Sequence, residues 1–85
     1  VRQLATNTVV VKTSLPGKLE EWRSVLAAQR AEWGTRGADY AIEVAFADAL
    51  LAILDDQPPA IAPDNPYADA VRQVVEAIAS ARGVG

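Results

Sequence analysis

The side chains able to do chemistry in this chain are carboxylates and a few cations. Its 85 residues carry 11 Asp and Glu against 8 Lys and Arg, with no histidine and no cysteine. Without imidazole or thiol there is no acid–base group that titrates near neutral pH by default and no thiolate nucleophile. A disulfide framework and a Cys/His zinc site are excluded as well. Carboxylate chemistry is what is left. Asp39 and Glu43 share a helix face, the minimum for an acid–base pair. Asp55-Asp56 closes a segment, and Asp64 lies in the loop that follows. Each has a structural explanation. Asp39 suits a first helical turn, where the dipole favours negative charge, and Asp55 and Asp56 border a loop. No His or Lys is spaced to tune them. Asp55, Asp56 and Asp64 also miss the alternating ligands and the turn glycine of a calcium loop. The expectation is no catalytic residue, no cofactor and no metal.

Other residues are better suited to contact than to catalysis. Trp22 and Trp33 stand about three helical turns apart, on one face. Trp22 reads as core. Trp33, at a helix end beside Arg30 and Arg36, offers the aromatic-plus-arginine composition of interface hot spots. Arg30, Trp33 and Arg36 are therefore the candidate partner-binding residues, and their cations suit an acidic partner. The alternative is a Trp33 that closes the core, flanked by solvated arginines. Asp48 sits among Ala45, Phe46, Ala47, Ala49 and Leu50. It either faces solvent along the one open strip of its helix or pairs with Arg23, Arg30 or Arg72, fixing helix register.

The elements that must position these groups are marked by breakers at Ser14-Leu15-Pro16-Gly17, at Gly34-Thr35-Arg36-Gly37, and from Gln57-Pro58-Pro59 to Asp64-Asn65-Pro66. From Pro16 to Trp33, the spacing of Leu15, Leu19, Trp22, Leu26 and Trp33 predicts a helix. Ser14 is its N-cap, Pro16 lies in its first turn and Gly34 stops it. From Ala38 to Asp55, Tyr40, Val44, Ala47, Leu51 and Leu54 form one apolar stripe. Ile42, Phe46, Ala49, Leu50 and Ile53 form a second, which predicts a central helix with neighbours on more than one side. From Pro66 to Ala81, Tyr67, Val71, Val74 and Ile78 form the buried stripe of a third helix capped by Asn65. Arg72 pairs with Glu76 there, and Gly83 ends the helix ahead of a frayed Val84-Gly85. Pro58-Pro59-Ala60-Ile61-Ala62-Pro63 is a stiff strap pinned by Ile61.

The first stretch is ambiguous. Thr6-Asn7-Thr8-Val9-Val10-Val11 is β-branched and favours a strand, which would need a second copy of the chain to complete its ladder. Leu4, Thr8 and Val11 also share a helical face, and the reading adopted is a short helix or ordered arm over 1–13. The bundle domain then covers 14–85.

At 9.0 kDa the chain is one small domain with one core. Hydrophobic residues at 51% exclude disorder, and a formal charge of −3 repels phosphate, so no nucleic-acid partner is expected. No apolar run reaches the roughly 18 residues of a membrane span, and Val1-Arg2-Gln3-Leu4 shows no basic stretch followed by an apolar one, so no signal peptide is expected there. The chain lacks methionine altogether and reads as a piece of a longer protein. Absence of cysteine accords with the cytoplasmic location adopted here.

The segment Gly37-Ala38-Asp39-Tyr40 through Phe46-Ala47-Asp48-Ala49-Leu50-Leu51 is similar to the second helix of a tetratricopeptide repeat. Gly37, Phe46 and Ala49 match its offsets. Ile42 stands where a small residue belongs, Tyr40 is one place late, and Leu26 falls where the preceding helix would carry its Trp. The stretch Leu50-Leu51-Ala52-Ile53-Leu54-Asp55-Asp56-Gln57-Pro58-Pro59, with Pro63-Asp64-Asn65-Pro66-Tyr67-Ala68, resembles the C-terminal helical region that follows such repeats in large bacterial multidomain proteins. The resemblance covers Thr8 to Ile78 and implies an all-helical interaction or capping piece, with no catalytic residues to carry over.

The expected fold is all-α: a small antiparallel three-helix bundle with an N-terminal arm or short fourth helix. Leu19, Trp22, Leu26, Val44, Phe46, Leu50, Leu51, Leu54, Tyr67, Val71, Val74 and Ile78 should be buried. The expected function is a non-enzymatic protein-interaction or repeat-capping module whose partner is another protein or neighbouring repeats. The alternative is a self-associating domain that dimerises through Val9-Val10-Val11.

Overall fold

The computed structural model describes residues 2–83, the side chains of Arg2 and Arg82 excepted. Regular structure among these residues is entirely helical: α1 (Arg2–Thr13), α2 (Leu19–Gly34), α3 (Ala41–Leu54) and α4 (Ala68–Arg82). Turns of 3₁₀-helix at Pro16–Lys18 and Gly37–Tyr40 lead into α2 and α3. The chain is all-α, and its described residues form four α-helices. The segment expected as an arm or short helix is α1, and the expected fraying of Val84-Gly85 lies outside the described residues.

Packing, not propensity, makes α1 a helix. Six of its 12 residues are Thr or Val, which lose side-chain freedom in a helix. The face shared by Leu4, Thr8 and Val11 decides the outcome. Val11 is buried and Thr8 fully so, while Leu4, Ala5 and Val9 pack on the core. The Thr8 hydroxyl donates to the Leu4 carbonyl at 2.8 Å and accepts the Trp22 indole N–H at 3.0 Å. Trp22, expected as core, is half-buried and packs against the core while its N–H reaches across to α1. Thr8→Val keeps the shape but orphans the indole donor, and should lower stability by about 1–3 kcal/mol in urea unfolding. A loss under about 0.5 kcal/mol would show that this bond does not hold α1 to α2.

α2 and α3 form an antiparallel hairpin, since Arg23 on α2 meets Asp55 and Arg30, two turns on, meets Asp48, two turns back. The expectation of antiparallel neighbours fails at the next step. Tyr67, just ahead of α4, stacks on Phe46 with ring centroids 4.8 Å apart, and Asn65 Nδ2 donates to the Ile42 carbonyl at 3.4 Å. Both contacts lie in the first half of α3. Farther on, Val75, Ile78 and Ala79 line a cleft with Ile53, near the end of α3. α4 therefore runs parallel to α3. The strap is long enough to carry the chain back along the bundle, and Ile61 packs against the core on the way.

α3 is the central helix. Phe46, Ala47, Ala49, Leu50, Ile53 and Leu54 are buried from it, joined by Leu26 of α2 and Val71, Val74 and Ile78 of α4. Leu19, Trp22, Val44, Leu51 and Tyr67, expected inside, are half-buried. A body this small gives its peripheral helices one wet side.

The predicted starts differ locally. Pro16 opens a 3₁₀ turn, α2 begins at Leu19, and Ser14 caps neither. Asn65 Oδ1 accepts the Tyr67 N–H at 2.8 Å, closing a turn ahead of α4, which starts two residues later than Pro66. Gly34 is the last residue of α2, while Gly37 supplies the left-handed turn at φ 81°. Arg72 reaches back to Asp69 at 3.1 Å instead of forward to Glu76. Helical side chains slope toward the N terminus, which favours an acid one turn earlier.

Candidate functional site

The described cations are used in pairing within the chain, three of them between helices or helix ends and three with a neighbour three or four residues away. Each Lys and Arg whose side chain is described lies in an ion pair with a carboxylate of the same chain. Arg23 and Arg30 stand seven residues apart on α2, and their partners Asp55 and Asp48 stand seven apart along α3 and its end. The two pairs act as rungs across one edge of the hairpin. Arg30 Nε meets Asp48 Oδ1 at 2.5 Å, and Nη2 meets Oδ2 at 3.4 Å. Both readings of Asp48 hold in part, because it is paired with Arg30 yet its side chain is about half exposed, at 48%. The hydrogen bond and charge of Asp48 raise the Arg30 pKa above its ordinary value.

The turn between α2 and α3 gathers the contact candidates. Trp33 is half-buried and packs on the core. The backbone N–H of Arg36 donates to the Trp33 carbonyl at 3.1 Å, and the Arg36 guanidinium lies 5.5 Å over the Tyr40 ring. Arg36 also donates to Glu32 at 3.1 Å; that bond, with Tyr40 and the charge of Glu32, raises its pKa. The Arg36 and Tyr40 side chains thus meet in this turn, Trp33 joins them only through its backbone carbonyl, and Arg30 is held to α3 by Asp48. Tyr40 was missed as a member of this group. Its place seven residues after Trp33, beyond a glycine turn, was the available signal.

The opposite end of the hairpin holds a residue that the sequence reading passed over. The Lys12 side chain is only 5% exposed, and its ammonium donates to Asp56 at 2.5 Å and to the Leu54 carbonyl at 3.5 Å. It caps the end of α3. There the Gln57 N–H bonds the Ala52 carbonyl at 2.8 Å and the Asp56 N–H bonds that of Ile53 at 3.1 Å. Asp56 takes the left-handed position at φ 59°. This is a Schellman closure with Asp in the usual glycine position. A cation at a helix C-terminus also meets the negative end of the dipole. Lys12 follows Thr8 by four residues, which places it next to the buried face of α1.

The carboxylates do not converge. Asp39 stays exposed in its 3₁₀ turn, while Glu43 turns toward Tyr67, with Oε2 3.5 Å from the phenol oxygen and Oε1 buried without a hydrogen-bonding partner. Among the described residues no three acidic side chains come together as a metal site. Burial pushes the Tyr67 phenol above its ordinary value near 10, and the Glu43 charge adds to this. The folded state thus holds that proton more tightly than the unfolded chain. Stability should be intact below about pH 10 and fall as pH rises through the folded-state pKa. Melting curves from pH 8 to 11.5 should show this alkaline loss in wild type and a smaller one in Tyr67→Phe. Equal losses would place the titrating group elsewhere.

Two open clefts flank α4. One, of about 560 Å³, lies between Lys12, Ile53, the Pro58-Pro59 strap, Val75 and Ile78. The other, of about 570 Å³, runs between Ala5, Thr6 and Val9 of α1 and Tyr67, Ala70, Gln73, Val74 and Ala77. Among the described residues no helix is long and apolar enough to cross a membrane. No family model, no curated protein and no solved structure matches the chain.

Proposed function

We propose that the chain is a non-enzymatic helical protein-interaction or repeat-capping module of a bacterial multidomain protein, acting in the cytoplasm and binding an acidic partner through Arg30, Trp33 and Arg36. The observation that carries this reading is the α2–α3 turn, where the Arg36 guanidinium lies 5.5 Å over the Tyr40 ring, three residues after the half-buried Trp33. Aromatic and arginine side chains dominate binding hot spots because they bring large contact area with a directed polar group. A last unit of a repeat array must also present a polar face, and α4 has one in Asp69, Arg72, Gln73 and Glu76.

Self-association through Val9-Val10-Val11 has less support. The segment is helical, Val11 is buried and Val9 packs on the core, leaving Val10 exposed. Sedimentation at micromolar concentration should give a monomer. A concentration-dependent dimer would favour self-association. For the partner site, the double variant Arg30→Glu/Arg36→Glu should keep its helical circular dichroism and lose an acidic protein that wild type captures. Equal capture by both would move the site elsewhere.

A further inference from the structure

We infer that α1 is a conditional helix: a strand-prone segment that undocks as a unit from an α2–α3 hairpin that stays folded, with Lys12 as the latch. Three independent observations support this, and none depends on the proposed partner site. First, local preference opposes the observed state. Thr6, Thr8, Val9, Val10, Val11 and Thr13 favour extended backbone, so tertiary contact has to supply what propensity withholds.

Second, Val11 is the one buried apolar side chain that α1 contributes among the described residues. The Thr8 and Lys12 side chains are buried with it, both polar, while Leu4, Ala5 and Val9 are half-buried against the core. Its ties to the hairpin are discrete: the Trp22 indole on the Thr8 hydroxyl, and the Lys12 ammonium on Asp56 and the Leu54 carbonyl. Third, the hairpin does not need α1 to stay closed. Leu26, Phe46, Ala49 and Leu50 pack together in the core cluster, and the Arg23–Asp55 and Arg30–Asp48 pairs tie α2 to α3. Segments with few buried apolar contacts form the low-stability opening units of a protein. Undocking frees Thr6–Val11 to extend and bares the α4 side of the second cleft, lined by Tyr67, Ala70, Val74 and Ala77.

The cysteine-free chain allows a direct test, because one introduced thiol is the only one present. Val11→Cys reports on α1 and Ala49→Cys on α3, at positions 6% and 1% exposed. Under native conditions a disulfide reagent should modify Val11→Cys at least about 100-fold faster than Ala49→Cys. Adding Lys12→Met to Val11→Cys should speed its reaction about tenfold. Native-state amide exchange of the unaltered chain reads the same opening without a substitution. Amides of residues 6–13 should exchange faster than those of the middle of α3, with weak urea dependence against a steep one. Equal thiol rates, or equal protection with equal urea dependence, would overturn the unit. An unchanged rate on adding Lys12→Met would overturn the latch.

Discussion

Phe46→Ala is expected to remove about 3–5 kcal/mol of stability, within the range for truncating a buried aromatic. Phe46 has no exposed surface, lies in the middle of α3 and stacks on Tyr67. It links the hairpin to the start of α4, so its loss opens a cavity between two elements that only side chains join. A domain of this size has a total stability near the low end of about 5–15 kcal/mol, so the variant should be partly or wholly unfolded at room temperature. Val75→Ala is the control. Val75 is 38% exposed where α4 lines the open cleft beside the strap, and its truncation should change stability by no more than about 0.5 kcal/mol. Similar small losses for both in urea unfolding would mean that α3 is not the central helix.

The second large effect belongs to Lys12. Lys12→Glu places a carboxylate in a site that is 5% exposed, facing Asp56 and a helix C-terminal carbonyl. Each of those groups repels negative charge, and the expected loss is about 3–5 kcal/mol, the range for an uncompensated buried charge. Lys12→Met keeps the stem and loses only the charged hydrogen bonds, for about 1.5–3 kcal/mol. Stability should therefore fall in the order wild type, Met, Glu. An ordinary solvated lysine would give two variants within about 0.5 kcal/mol of wild type.

The contrast between Phe46 and Lys12 marks what the sequence makes legible. Phe46, Leu26, Leu50, Val71, Val74 and Ile78 announce themselves through helical periodicity, because a buried stripe has a period that can be read without knowing its neighbour. Lys12 does not, and Thr8 does so only in part, through the helical face it shares with Leu4 and Val11. Their burial depends on groups of other helices, the Trp22 indole and the end of α3, which no local pattern encodes. The same reason separates the two connections of α3. A glycine turn of a few residues forces the α2–α3 hairpin, whereas the strap between α3 and α4 permits either direction. Tyr67 on Phe46 then decides for the parallel one. At the proposed contact site, Trp33 and Arg36 are visible as types at a helix end. Tyr40 joins them only because Gly37 turns the chain at φ 81°. The ion-pair rungs lie between these cases. Asp48 is conspicuous among apolar residues, and Arg30 is one of three arginines considered for it, but choosing among them needs the register of the hairpin.

The central claim is that a β-branched N-terminal segment completes this body as a helix docked on Trp22. Solution NMR of the uniformly labelled chain tests it most directly, through the Cα shifts of Thr6–Val11 and nuclear Overhauser contacts of the Trp22 indole proton. The account predicts helical shifts across all six residues and a contact from the indole proton to Thr8. Extended shifts there, with a Trp22 indole proton that exchanges freely with water, would contradict it.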